Sequence, residues 1–153
     1  MKDKFKYAFM DTASIFARLS TAKRAQVGAI IVKDDRIISI GYNGMPSGWT
    51  NECEDHVPFT GRPTKDSLKT KPEVIHAESN AISKVAMSSE SSKGAALFCT
   101  HMPCINCAKL IYQSGITHVY VKTDYIAAVG VGREFLENCD IILEFVNDKI
   151  NRI

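Results

Sequence analysis

Two short phrases hold the residue types that do chemistry. The first is His76-Ala77-Glu78; the second is Pro103-Cys104-Ile105-Asn106-Cys107. In each, the polar residues fall where an irregular or extended segment gives way to a helix. Cys104 and Cys107 are three residues apart, so one helical turn carries both sulfurs to one side. The positive end of that helix favours thiolate over thiol. Pro103 suits a helix entry, where a missing N–H costs little. Two thiolates and one imidazole fill three positions of a tetrahedral zinc ion and leave a fourth for water, the pattern of catalytic sites. Zinc there lowers the pKa of water. Glu78, two residues from His76, diverges from it on a helix and is badly placed to ligate. It is placed to exchange protons with the water instead.

Other chemistries use the same cysteines. A redox pair would leave His76 and Glu78 without a purpose. A structural zinc would be closed by His101 or Cys99. Cys99 and Cys139 flank apolar strands, where a thiol is most often a small buried hydrophobe.

These residues need a scaffold. Phe5, Phe9, Ala13 and Phe16 recur at helical spacing over 5–20, with Ala8, Ile15 and Leu19 broadening the face. Strands at 27–32 and 37–40 flank Asp34-Asp35, a tight turn. Gly41, Gly44, Pro46 and Gly48 end the regular structure. Residues 49–74 are aperiodic, a loop long enough to require a lid or binding role. A helix follows at 76–88, with Ala81, Ile82 and Val85 apolar. Then come a strand at 95–99, a helix at 104–113 bearing Ala108, Leu110 and Ile111, and a strand at 117–121. A helix at 131–138 and a strand at 141–146 close the chain. This order predicts a sheet covered by helices on its faces, parallel in its last part.

Composition agrees with one globular domain. The chain has 153 residues, 45% hydrophobic and 24% charged, and a net charge of +2. That balance gives no electrostatic case for wrapping nucleic acid. No apolar run reaches the roughly 18–20 residues that span a bilayer. The charged start has no signal-peptide core behind it, so the expected location is cytoplasmic, without a membrane partner. Five cysteines, an odd number, favour thiols or metal ligands over a disulfide framework.

His-Ala-Glu followed by Pro-Cys-x-x-Cys resembles the signature of zinc-dependent nucleoside and nucleotide deaminases. Segments 27–32, 41–48 and 76–82, with 100–104 and 107–109, are similar to the deoxycytidylate branch of the cytidine/deoxycytidylate deaminase family. The likeness spans nearly the whole chain as a single domain, 1–153, with an insertion at about 49–75. It implies an α/β fold: a three-layer α/β/α cytidine-deaminase-like architecture whose mixed five-stranded sheet is flanked by helices.

The resemblance also implies roles. His76, Cys104 and Cys107 would bind one catalytic Zn2+ per chain, and Glu78 would shuttle protons. The substrate would be dCMP and the products dUMP and ammonia. Asn43 would grip a sugar hydroxyl or base edge, or merely shape a turn. Arg24, at a position similar to a pocket edge, would meet the 5′-phosphate, with Lys23 next in line. Tyr125 would line the pocket, while Val27 and Ala77 would wall the ring. A carbonyl within Thr100, His101 and Met102, beside Pro103, would accept from the amino group. Relatives are typically hexamers activated by dCTP with Mg2+ and inhibited by dTTP. The corresponding loop here holds Gly41, Gly44, Met45 and Gly48, reaching Trp49 and Asn51, and Arg133 would meet a phosphate across a subunit boundary. A second, structural zinc seen in some relatives lacks ligands here: Cys53 and His56 are too few, and Asp66 and Glu73 are poor substitutes. A tRNA adenosine or cytosine deaminase would share the zinc motifs, and a nonenzymatic zinc module would need a saturated ion.

Overall fold

A computed structural model describes residues 1–58, 67–127 and 129–147. Asp66 lies outside them. The elements are α1 (Asp3–Ala17), β1 (Gly28–Lys33), β2 (Arg36–Tyr42), β3 (Glu54–His56) and β4 (Leu68–Thr70). They continue with α2 (Ala77–Ala86), β5 (Ala96–His101), α3 (Ile105–Gln113), β6 (His118–Thr123), α4 (Arg133–Asn138) and β7 (Ile142–Phe145).

The main sheet has five strands in the order β2-β1-β5-β6-β7. β1 runs antiparallel to β2 and β5, and the β5–β6–β7 part is parallel. The opening hairpin turns on Asp34 and Asp35, with φ of 50° and 57°. Two left-handed residues match the twist of a two-residue hairpin loop, and aspartate tolerates that conformation.

Alternation along the central strands divides the core in two. Ile30, Val32, Ala96 and Phe98 face α1, where Phe9, Met10 and Ala13 meet them. Ala29, Ile31, Leu97 and Cys99 face the opposite layer, against Ala77, Ala81, Val85, Ala108, Ile111 and Leu136 of α2, α3 and α4. The result is the three-layer α/β/α arrangement with a mixed five-stranded sheet.

Three expectations need correction. The first helix ends at Ala17, and its buried stripe is Phe9, Met10, Ala13 and Ala17. Ala8, Ile15 and Leu19 are exposed, because α1 packs on its small residues: a Cβ on Gly28 would overlap the Ala13 carbonyl. Leu110 of α3 also faces solvent. Residues 49–74 are not all irregular, since β3 and β4 pair within them as a separate two-stranded sheet. Among the described residues no helix is long and apolar enough to cross a membrane.

Candidate metal centre and active-site pocket

His76 is the residue before α2 and Cys104 the residue before α3. Both have extended backbone, with ψ of 152° and 167°. Each therefore projects its side chain from a helix entrance, and Cys107 follows one turn inside α3. Ladder bonds outside the main sheet fix these entrances. Gly44 and Ile75 exchange both backbone hydrogen bonds, 3.1 and 2.9 Å, immediately before His76. Met102 N–H donates to the Thr123 carbonyl, Ile105 N–H to Gly130, and Gly132 N–H to Pro103, which secures the approach to α3.

The three donor atoms converge. The Cys104 and Cys107 sulfurs lie 3.6 and 3.4 Å from His76 Nδ1. All three donor atoms lie within 4.8 Å of one another, and among the described residues this is the one cluster of three such donors. Tetrahedral zinc with ordinary bond lengths separates a sulfur from a nitrogen by about 3.6 Å. The spacing fits one ion held by three protein ligands. Glu78 stands outside the donor set, as does His101.

Charge is arranged to match. Hydrogen bonding from the Cys107 thiol, aided by His76, brings the Cys104 thiol down to about 4. The Cys107 thiol is pushed up, first by its bond to Cys104 and then by burial. The cysteine pair thus gives up its first proton readily, and a bound cation would favour loss of the second. His76 is raised, mainly by its hydrogen bond to Cys104. Glu78 is buried in the first turn of α2, and desolvation holds its carboxyl above the usual carboxylate range. Its own backbone N–H, the His76 charge and, least, Cys107 oppose that shift. Burial lifts the Cys99 thiol well above its ordinary range, which leaves it inert as a small apolar side chain.

A cavity of about 170 Å³ opens above these residues. It brings together His76, Glu78 and Cys104 with Arg24, Val27, Asn43, Ala77, Met102 and Tyr125 from the sequence-based set. Asn43 spends its amide on the wall: Oδ1 accepts from Val27 N–H at 2.8 Å, and Nδ2 donates to the Ala25 carbonyl at 2.9 Å. Thr100 and Pro103 lie behind the wall. The Thr100 hydroxyl accepts from Gly28 N–H at 3.1 Å and sits 3.0 Å from His101 Nδ1.

None of the residues assigned to regulation lines the cavity. Gly41 is inside β2, Gly44 is the partner of Ile75, and Met45 packs behind Val74 on Ala22 and Cys53. Gly48, at φ +85°, is the third residue of the turn that Trp49 N–H and the Pro46 carbonyl close. The Asn51 carbonyl accepts from Thr21 at 2.9 Å. Arg133 pairs with Asp124 at 2.8 Å and covers the Phe145 ring.

Sequence reasoning missed Ala25, Thr70, Val74, Ala127 and Val129 as lining residues, and gave the His101 side chain only a ligand or loop role beside the 100–102 carbonyls. His101 meets Tyr125 edge-on, with ring centroids 5.9 Å apart, and burial lowers its pKa. A polar residue ending a strand beside the cysteine motif was a usable signal for it. Thr70 and Val74 carry no local signal.

Two helix entrances that bring His76, Cys104 and Cys107 together, beside a buried glutamate and over a mixed sheet, define a candidate metal centre in a cytidine-deaminase-like α/β/α fold. The family described as "Cytidine and deoxycytidylate deaminase zinc-binding region" matches residues 3–123. The chain belongs to that family. It is 42% identical to human deoxycytidylate deaminase over 118 residues, covering 76% of this chain and 63% of the human protein. It is 40% identical to ComE operon protein 2 of Bacillus subtilis over 117 residues, 76% of this chain and 58% of that one. The chain thus spans less than two thirds of either relative. A crystal structure of dCMP deaminase from cyanophage S-TIM5, in complex with dCMP and dUMP, superposes with a TM-score of 0.82 and 42% identity. The match covers 95% of this chain and 98% of that one.

Proposed function

We propose that this chain is a dCMP deaminase, converting dCMP and water to dUMP and ammonia and so supplying dTMP synthesis. The observation that carries the reading is the His76–Cys104–Cys107 cluster, spaced for one ion, with Glu78 buried beside it in a pocket rimmed by Arg24. The names of the human and cyanophage relatives support the choice of nucleotide.

Bound zinc supplies the Lewis acidity that makes water a nucleophile near neutral pH. Glu78 handles the protons. Burial raises its affinity for a proton, so its carboxylate takes the proton that water loses as the water oxygen bonds to C4, and the resulting acid delivers it to ring N3. Glu78 then takes the remaining proton of the hydroxyl added at C4 and passes it to the amine, which leaves as ammonia as the C4–N bond breaks and the C4 carbonyl forms. Val27 and Ala77 wall the ring, Asn43 fixes the loop beneath it, and Arg24 faces the 5′-phosphate. Met102 and the neighbouring Thr100 and Pro103 shape the wall near the amino group, with Tyr125 opposite.

The reading extends to assembly and control. The chain would act as one deaminase domain with an insertion, in a cytoplasmic homo-hexamer without nucleic-acid or membrane partners. dCTP with Mg2+ would activate it and dTTP inhibit it through the loop bearing Gly41, Gly44, Met45, Gly48 and Asn51, with Arg133 at a boundary. The Gly44–Ile75 bridge supports this, because it joins that loop to the residue preceding His76.

The test is a substrate panel of dCMP, deoxycytidine, cytosine and an adenosine-bearing tRNA loop, read by ammonia release with and without dCTP–Mg2+ or dTTP. Preferred turnover of dCMP is expected. Release from cytosine or the tRNA loop, with dCMP untouched, would replace this reading with another deaminase.

A further inference from the structure

Arg24 lies in a segment without regular secondary structure, between α1 and β1. Such a loop does not by itself hold a long side chain at a pocket rim, where ordering an arginine costs rotamer entropy. The structure supplies the missing order from the insertion. Glu54 Oε1 accepts from the backbone N–H of Lys23 at 2.9 Å and of Arg24 at 3.1 Å. Arg24 Nη1 donates to the Thr70 hydroxyl at 3.3 Å. Glu54 and Thr70 are directly opposed partners in the β3–β4 ladder. Paired residues of an antiparallel ladder share a face, so this one rung holds Arg24 at both ends, backbone and guanidinium.

The neighbouring residues are fixed independently. Asn43 ties Ala25 and Val27, and Gln26 Nε2 donates to the Ser20 carbonyl at 2.6 Å. Only the Lys23–Arg24 part of the loop depends on Glu54. A guanidinium has five N–H donors. One goes to Thr70, and the pocket-facing remainder suits a phosphate, for which planar paired donors are the strong recognition mode. The Thr70 hydroxyl accepts that bond and keeps its own proton, and Thr70 itself lines the cavity.

We propose that the Glu54–Thr70 rung is a positioning device that sets the preference for a 5′-nucleotide over a nucleoside by presenting Arg24 to the phosphate. This rests on the dCMP reading above. Neither residue touches the reacting atoms. The effect therefore falls on binding of phosphorylated ligands and spares the chemistry at C4.

The experiment compares the zinc-loaded full chain with Glu54→Ala, Glu54→Gln, Thr70→Val and Arg24→Ala. Two readouts are taken: KM and kcat for dCMP and deoxycytidine, and calorimetric binding of dUMP against deoxyuridine. Loss of a charge-assisted contact predicts that Glu54→Ala raises KM for dCMP roughly tenfold, mostly without change in kcat, and weakens dUMP similarly. Glu54→Gln keeps an acceptor oxygen and should restore most of the affinity. Thr70→Val, which keeps the side chain's shape, should show a smaller loss of about threefold. Adding Glu54→Ala to Arg24→Ala should cost little more, since both remove one function. Equal losses for dCMP and deoxycytidine, or unchanged dUMP binding in both Glu54→Ala and Thr70→Val, would overturn the proposal. Absence of ammonia from dCMP in the wild type, with dUMP binding still dependent on Glu54, would overturn the deaminase reading and leave the positioning role standing.

Discussion

Gly41 of β2 lies against the Ala77 carbonyl of α2, so closely that a Cβ at position 41 would overlap it and crowd the Ala81 amide. The strand can approach the helix only because residue 41 has no side chain. That approach sets the height of the α2 entrance, which carries His76 and Glu78. Ser39, two residues earlier on the same face, donates to the Ala81 carbonyl at 2.7 Å and fixes the register. Gly41→Ala should therefore displace the His76 half of the centre. Overpacking predicts a loss of about 1–3 kcal/mol or more. For a chain of this size that is about 2–4 °C in Tm for each kcal/mol. Thermal melting and zinc content of the purified variant check it, and a full complement of zinc at wild-type Tm would contradict it.

Glu78→Gln separates proton transfer from architecture. The amide has nearly the shape of the carboxyl and carries no charge to desolvate, so the buried site should be at least as stable. Zinc content and melting temperature should hold. Turnover should fall by about 10²–10⁴-fold, the usual worth of a positioned acid–base group. A variant that kept a tenth of wild-type activity would remove Glu78 from the proton path.

Metal removal addresses the donor set. Chelation should abolish turnover, and added Zn2+ should restore it. Cys107→Ser should lower zinc occupancy, because it replaces a soft thiolate ligand. Elemental analysis of the wild type should give about one zinc per chain, since three ligands and an open position are the catalytic arrangement. Two zincs per chain would mean that Cys53 and His56 belong to a second site. Cys53 is buried against Ala22 and Val74, with its sulfur 3.5 Å from the Thr21 hydroxyl, an environment of packing rather than ligation.

The metal centre was legible in the chain because its geometry is local. Cys104 and Cys107 need only one helical turn, and His76 and Glu78 need only a helix entrance. The central strands were legible because burial on both faces writes near-continuous apolar runs such as 28–32. The rim of the pocket was not legible. β3 and β4 are three residues each, too short for a period to emerge. Thr70 and Val74 enter the cavity only because that small sheet folds beside the 23–27 loop. Thr100 shows the converse: it sits one residue from the pocket, yet strand alternation turns its hydroxyl toward Gly28.

Lys6 and Glu144 join the first helix to the last strand across 138 residues of sequence, with Nζ at 2.8 and 2.9 Å from the two carboxylate oxygens. The pairing raises the Lys6 pKa, the hydrogen bond to Glu144 being the largest cause. A lysine raised on folding contributes stability fully below its unfolded value, near 10.5, and loses it as pH climbs through the folded value. A double-mutant cycle of Lys6→Met and Glu144→Gln should give a coupling of about 0.2–1 kcal/mol at neutral pH. The coupling should shrink above about pH 10.5 and with added salt. Urea melts at several pH values measure it, and a coupling that grew with alkali would reverse the assignment.

Phe98 tests whether the two core layers are separable. Its ring stacks on Tyr120 with centroids 4.5 Å apart and meets Phe9 of α1 at 5.4 Å. All three rings lie on the α1 side of the sheet, while Leu97 and Cys99 on either side of Phe98 face α2 and α3. Truncation to alanine removes a fully buried aromatic ring and should cost about 3–5 kcal/mol. The lost contacts are those that dock α1; the entrances of α2 and α3 rest on the opposite face. Phe98→Ala should therefore melt well below the wild type, yet bind one zinc and turn over at a near-normal rate at low temperature. Parallel measurement of Tm, zinc content and kcat at about 10 °C decides it. Joint loss of zinc and stability in proportion would show that the sheet transmits packing from one layer to the other, because β5 is the strand both layers share.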